Sequence, residues 1–368
     1  MSTGFFWDER TFWHAGGDYA FTLPLGGLVQ PMAAGGLPES PETKRRFRNL
    51  MEVTGITADL SMQGADPADR AALERVHPAS YLDRFKEVSD AGGGELGYHA
   101  PFAQGGFEVA ALSAGLATAA MRAVATGEVE NAYALSRPPG HHCEPDAPMG
   151  FCLMANLAIA LETARAEGHI TRAVVLDWDV HHGNGTEKIY YDRADTLTIS
   201  LHQEGNYPHP KGAFADRGAG AGAGYNINLP LPAGTGADGY LHALERIVIP
   251  QIRAFKPDLI AVACGFDAAC PDPLASMQLT AGAFGEMTRR IKALAREICG
   301  GKLMLAHEGG YSEVYVPFCG HAVLEALSES RHTAPDPLGA AFDGRQPNAR
   351  TAALTRTLID EMAEKLES

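Results

Sequence analysis

The sequence predicts an α/β fold organised around a parallel sheet covered on both faces. Two observations carry that prediction. Short, nearly continuous apolar runs recur at 132–135, 172–176, 196–201, 259–264 and 303–306, without polar alternation along them. Segments with helical spacing of apolar residues lie among them, at 107–126, 153–167, about 239–255 and 281–299. A strand buried on both sides loses the in–out alternation of a half-exposed sheet, and parallel pairing requires crossovers of this kind.

Taken in chain order, the first hundred residues read as loop-rich, punctuated by Gly16-Gly17, Gly26-Gly27, Gly35-Gly36 and Gly92-Gly93-Gly94. Residues 11–40 are aromatic, Gly-rich and longer than a connection needs, so they read as an insertion. The Ala- and Leu-rich stretch 107–126 opens the alternation of helices and strands. Residues 217–224 form a low-complexity run, Arg-Gly-Ala-Gly-Ala-Gly-Ala-Gly, ahead of a further strand at 225–229. A phosphate cradle would follow a strand, so this run reads as a mobile surface loop. A helical tail is expected at about 350–368. With 368 residues, 45% of them hydrophobic, the chain suffices for one large α/β domain.

The formal net charge is −15, and the only basic run is Lys44-Arg45-Arg46. Nucleic acid and anionic membranes are therefore poor partners, whereas a cationic substrate would be steered favourably. The six cysteines contain no C-x-x-C pair, and the N-terminus lacks a basic segment followed by an apolar one. Both features point to a reducing cytoplasm. No uncharged apolar run approaches the roughly 20 residues that span a bilayer. Cys143 and Cys152 flank the polar motifs and are expected to be small buried hydrophobes.

The residues just beyond each apolar run are the informative ones. After 132–135 comes Arg137-Pro-Pro-Gly-His141-His142; after 172–176 comes Asp177-Trp-Asp179-Val-His181-His182-Gly-Asn184-Gly. After 259–264 comes Gly265-Phe-Asp267, and after 303–306 comes His307-Glu-Gly-Gly-Tyr311. Four strands thus deliver ionisable groups at their carboxyl ends, the edge where open parallel sheets bind ligands. Asp177, Asp179 and His181 have an i, i+2, i+4 spacing, which in extended chain places them on one face. Buried carboxylates must be protonated, paired or bound to cations. For any one of these residues a strand-end cap or ion pair is the simpler reading, but not for the set. Two Asp and one His make a three-ligand zinc set with a position left for water and substrate. His141-His142, after a rigid Pro-Pro-Gly turn, would supply a base and an acid for amide hydrolysis, oriented by Asp177 and Asn184. Tyr311, held by Gly309-Gly310, would donate to an oxyanion. His307-Glu308 is not a zincin motif, because position 311 is Tyr.

Arg137-Pro-Pro-Gly-His-His, Gly150-Phe-Cys, the run from Asp177 to Gly185, Ser200-Leu-His, Gly265-Phe-Asp-Ala and Glu308-Gly-Gly-Tyr together resemble the histone deacetylase family. More narrowly they resemble its class II branch and the bacterial histone deacetylase-like amidohydrolases. The match runs from about residue 40 to residue 325. It implies the arginase/deacetylase fold, a single domain around an eight-stranded, mainly parallel sheet. It implies zinc on Asp179, His181 and Asp267, with His142 as general base and acid. It makes His141, backed by Asp177, an electrostatic histidine, and Tyr311 the catalytic tyrosine. Asn184 matches the class II pattern where class I members have Asp. Gly150 would offer its carbonyl to the substrate amide, Phe151 and Tyr207 would wall the acyl-lysine channel, and Leu274 and Gly310 would contact substrate. Class II lysine deacetylases carry Leu at the position of Leu274, and a polyamine-specialised member carries an acidic gatekeeper there; nearby Asp272 is a candidate substitute gate.

The resemblance further implies potassium near Asp177, Asp179, His181, Ser200 and Leu201, where a cation would offset the carboxylates. A second potassium site is implied at the main-chain carbonyls of Tyr190, Arg193, Thr196 and Tyr225. The expected activity is removal of acetyl or other short acyl groups from lysine side chains, with iron(II) as an alternative metal. The rival readings are an acetylpolyamine deacetylase, an arginase-like manganese hydrolase and a non-catalytic acyl-lysine binder. Related bacterial enzymes imply that the insertion at 11–40 forms a contact in a homodimer or homotetramer.

Overall fold

The computed structural model describes residues 2–17, 19–24, 29 and 36–367 of the chain. Its central sheet contains β1 (Thr3–Phe6), β2 (Leu60–Gln63), β3 (Asn131–Ala134), β4 (Ala173–Asp177), β5 (Thr196–Gln203), β6 (Asn226–Leu231), β7 (Leu259–Cys264) and β8 (Leu303–His307). They are ordered β6-β5-β4-β7-β8-β3-β1-β2, and every pairing is parallel. The chain runs outward from β4 to the edge strand β6, then returns to insert β7 and β8 between β4 and β3. The four strands with polar motifs at their ends are therefore the four contiguous central strands. Their carboxyl ends meet at a reversal of strand order, the place where such sheets bind ligands.

Side-chain parity divides the core in two. From β7, Ile260, Val262 and Cys264 join a cluster with Phe47, Phe284, Met287 and Leu324. Leu259, Ala261 and Ala263 face the other way, with Ala132, Ala134, Ala173 and Ala306. Small residues dominate that second face, so the helices Gly106–Thr126 and Asn156–Ala166 lie close to it. The helix Gly106–Thr126 is long and apolar enough to cross a membrane, but 78% of its apolar window is buried inside the protein. It is a core helix.

The loop-rich expectation for the first hundred residues needs correction. They contribute β1, β2 and the helices Glu42–Thr54 and Ala79–Asp90. β1 and β2 are four residues each, too short for a periodic signal. The helix Glu42–Thr54 buries Phe47 and Met51, spaced i, i+4, but Lys44-Arg45-Arg46 masks the stripe. The helix expected at 153–167 begins only at Asn156, because Met149 and Cys152 exchange main-chain hydrogen bonds just before it. The run 217–224 is no loose loop: Ala219 N–H donates to Tyr191 O at 2.8 Å, and Gly220–Gly222 form a 3-10 turn. Part of the insertion, residues 18, 25–28 and 30–35, lies outside the described residues. The remainder forms a 3-10 helix, Glu9–Trp13, and a small hairpin pairing Tyr19–Ala20 with Leu23–Pro24. A helix, Ala349–Glu367, closes the C-terminal end. The six cysteines are free, with Cys143 and Cys152 buried.

Candidate active site

The site begins where β4 ends. Asp177 Oδ1 accepts the N–H of Asp179 at 3.0 Å, and Asp179 Oδ1 accepts that of His181 at 2.9 Å. Short carboxylate side chains capture the N–H two residues on and turn the backbone. The extended chain assumed for the i, i+2, i+4 spacing therefore stops at Asp177, and the three side chains do not form one row. Asp177 turns to His141, whose Nδ1–H donates to Asp177 Oδ2 at 2.9 Å. Asp179 and His181 turn instead to Asp267 at the end of β7. His181 Nδ1 lies 3.1 Å from Asp179 Oδ1 and 3.0 Å from Asp267 Oδ2.

Both carboxylates of this trio are fully buried and fixed by main-chain donors. Asp267 Oδ1 accepts from Val180 N–H, and Asp179 Oδ2 from Gly309 N–H, each at 2.8 Å. Gly309 is required here, since a Cβ would stand 2.3 Å from Asp267 Oδ2 and 2.7 Å from Asp179 Oδ2. Burial opposes charging His181, yet the Asp267 and Asp179 carboxylates push its imidazole up to about 10. The cluster thus calls for a positive charge at its centre. The three donor atoms lie within 4.8 Å of one another, and one nitrogen with two carboxylate oxygens suits zinc or another first-row divalent ion. The residues fit a metal.

The tandem histidines differ sharply although their rings are 3.9 Å apart. Burial resists charge on His141, but Asp179 and Asp177 raise it well above the ordinary histidine value. Burial and then the charges of His141 and His181 drive His142 well below it. The Nδ1–H of His142 donates to Asn184 Oδ1 at 2.8 Å, a neutral partner that leaves the far nitrogen free of its proton. One ring is a cation and its neighbour a base, a division seen where acid and base roles are split.

A cleft of about 190 Å³ opens onto these groups. Among the expected residues, His142, Gly150, Phe151, His181, Tyr207, Leu274 and Tyr311 line it. Gly310 does not, although its backbone carries Tyr311. Phe151 and Tyr311 pack edge to face at 5.8 Å, and Tyr207 stands edge to face with His142 at 5.0 Å. Gly150 has φ +55, and a Cβ there would collide with the His142 ring at 2.3 Å. Burial, then Asp267 and Asp179, hold the Tyr311 phenol well above its ordinary value, so it keeps its proton to donate.

Several residues of the site carry no signal in the sequence. Thr22 and His99 line the mouth, and Tyr98, His99 and Tyr207 stack there, with Tyr98 and His99 4.0 Å apart. Asp272, the candidate gate, faces inward: Oδ1 accepts from Leu274 N–H at 2.9 Å and Oδ2 from Tyr311 N–H at 2.8 Å. Both oxygens are committed to the backbone. Under the N-terminal segment, Arg137 Nε donates to Glu39 Oε1 at 3.0 Å and Lys44 Nζ to the same oxygen at 3.3 Å, all three side chains buried. Single charges in a stretch without periodicity do not announce such a cluster. Of the residues considered for potassium, Asp177 and Ser200 are register partners on β4 and β5, with Leu201 next along β5. In the second group, the carbonyls of Tyr190 and Tyr225 already accept main-chain N–H groups from Arg193 and Thr198.

The chain is similar to known proteins along most of its length. A model of the histone deacetylase domain matches residues 37–327. A histone deacetylase-like amidohydrolase of Pseudomonas aeruginosa is 54% identical over 361 residues, covering 98% of this chain and 95% of its own length. A probable deacetylase of Archaeoglobus fulgidus is 38% identical over 79% of this chain and 82% of its own. Among solved structures, the HD domain of HDA15 superposes with a TM-score of 0.82 at 30% identity, covering 100% of this chain and 96% of that one.

Proposed function

The chain belongs to the histone deacetylase family of hydrolases, and from that premise we propose that it is a zinc-dependent deacylase of lysine side chains on proteins or peptides. The observation that carries this reading is the buried His181–Asp179–Asp267 trio opening onto a narrow aromatic cleft beside one charged and one neutral histidine. Asp179, His181 and Asp267 would hold the metal, which when bound supplies a Lewis acid that polarises the amide carbonyl and acidifies water. His142, kept neutral and oriented by Asn184, takes the proton of the attacking water and returns it to the leaving amine. His141, charged and paired with Asp177, stabilises negative charge as it develops. Tyr311 donates its phenol proton in a hydrogen bond to the oxyanion. The products are a carboxylate and a free amine. Phe151 and Tyr207 form walls for an extended acyl-lysine, and the Gly150 carbonyl accepts from its amide N–H.

Potassium beside Asp177 and Ser200 is part of the same reading, as the family resemblance implies, because a cation is favoured beside buried carboxylates. The decisive test is turnover of an acetyl-lysine peptide by protein of measured zinc content, before and after chelation. Activity that survives complete metal removal overturns the zinc assignment, and binding of the peptide without turnover would make the protein a reader. Turnover unaffected by exchanging potassium for a large organic cation removes the potassium proposal.

A further inference from the structure

Glu308 comes directly after β8 and takes no part in the chemistry above, yet its side chain is fully buried. Its Oε2 accepts two consecutive main-chain donors, Gly140 N–H at 2.7 Å and His141 N–H at 3.1 Å. Its Oε1 has no partner among the described residues. Ligand-type atoms of His141, Cys152 and Glu308 lie within 4.8 Å of one another, and most of them are already engaged. His141 Nδ1–H is given to Asp177, Cys152 Sγ accepts the N–H of His142 at 3.4 Å, and Glu308 Oε2 is filled. The atoms are knit around the backbone from which both imidazoles hang.

That backbone is a turn after β3, while Glu308 sits at the end of the neighbouring strand β8. A carboxylate accepting two N–H groups makes a strong, directional clamp between the two strand ends. The placement of His141 against Asp177, and of His142 against the metal trio, depends on where this turn is held. A displacement of about 1 Å in a reacting constellation can cost about 10²-fold in rate. We propose that Glu308 is a positioning residue for hydrolysis: its carboxylate clamps the Gly140–His141 backbone and so sets the histidine pair against the metal-binding carboxylates. The inference rests on the roles of those histidines in the proposed hydrolysis.

The unpartnered Oε1 makes a clean test possible. In Glu308→Gln the amide oxygen can take the place of Oε2 and keep both bonds, whereas Glu308→Ala removes the acceptor and Glu308→Asp withdraws it by one methylene. On zinc-loaded full-length protein, E308A and E308D should lower kcat by about 10- to 100-fold with little change in KM or zinc content. E308Q should recover most of that loss. A readout independent of turnover is the downfield proton resonance of His141 Nδ1–H bonded to Asp177, assigned by its loss in His141→Ala. It should shift or broaden in E308A and E308D and persist in E308Q. Wild-type kcat with an unmoved resonance in E308D overturns the proposal even if E308A does not fold, and so does E308Q falling as far as E308D. A wild-type protein without turnover would refute the hydrolase reading instead, and the resonance alone would then decide whether the clamp exists.

Discussion

At the floor of the cleft Asp179, Asp267 and Glu308 are each pinned by main-chain N–H groups, whereas at the rim Tyr98, His99 and Tyr207 lean on one another through ring stacks, with Tyr98 63% exposed. The floor is made of strand ends on the four central strands, which cannot move without disturbing the sheet. The rim is made of loops from four separate stretches, around Thr22, His99, Tyr207 and Leu274. Rigid, hydrogen-bonded groups suit a reaction whose rate depends on fixed geometry. Loops packed by side chains can change shape and sequence without loss of the fold, and they suit selection among substrates. Asp272 belongs to both, since it ties Tyr311 to the backbone of Leu274.

If that division is right, the largest effects come from the floor. Asp267→Ala should abolish deacylation and lower bound zinc, because it removes a ligand and frees the Val180 N–H. Metal analysis beside a turnover assay checks it, and full activity in a metal-depleted variant would break the assignment. Beneath the floor, Glu39→Ala leaves Lys44 and Arg137 as buried unpaired cations. We expect a loss of about 3–5 kcal/mol in stability, read by urea denaturation. A loss below about 1 kcal/mol would show that the cluster is hydrated or rearranges. Tyr311→Phe should reduce kcat by about 10²–10³ with a much smaller change in substrate binding. An effect confined to KM would move Tyr311 from the floor to the rim in function.

The same division explains what was legible in the sequence. The central strands β4, β7, β8 and β3 are apolar runs ending in ionisable residues, so both the sheet and the convergence at its edge could be read directly. Asp179, His181 and Asp267 come together as their strand-end positions implied, though by turns at Asp177 and Asp179 and not by strand periodicity. The rim was mostly hidden. His99 reaches the cleft through a backbone of positive φ, and its carbonyl accepts the Phe151 N–H at 2.7 Å. Long-range pairing of two loops leaves no periodic trace. Nor do four-residue strands such as β1, whose place in the sheet is decided by the distant partners Leu60 and Asn131. Glu308 was visible as a charge at a strand end, but only the structure shows that it points at a backbone turn.

The smallest effect expected, and the sharpest test of the rim, concerns Leu274. It lines the cleft, its carbonyl accepts from Asn206 Nδ2 at 3.3 Å, and its N–H is held by Asp272. The backbone is thus anchored at the wall of the cleft. An acetylpolyamine would bring a secondary ammonium to this level of the cleft, and Leu offers it no partner. Asp272 is not among the residues lining the cleft; it is buried, with its oxygens turned to the main-chain N–H groups of Leu274 and Tyr311. An apolar rim should therefore favour an acyl-lysine presented on a peptide, whose neighbouring backbone is uncharged. We expect a higher kcat/KM for acetyl-lysine peptides than for N8-acetylspermidine. Leu274→Glu should shift that ratio toward the polyamine by about tenfold, or ~1.4 kcal/mol of differential binding. The net charge of −15 attracts the doubly charged N8-acetylspermidine at long range, and a peptide only as far as its other residues are basic, so steering by itself biases the ratio toward the polyamine. Measuring both substrates on both proteins at two salt concentrations separates steering from contact, because only steering fades as salt rises. A wild-type enzyme that prefers acetylspermidine would mean that selection is made below the rim, by groups assigned here to the floor.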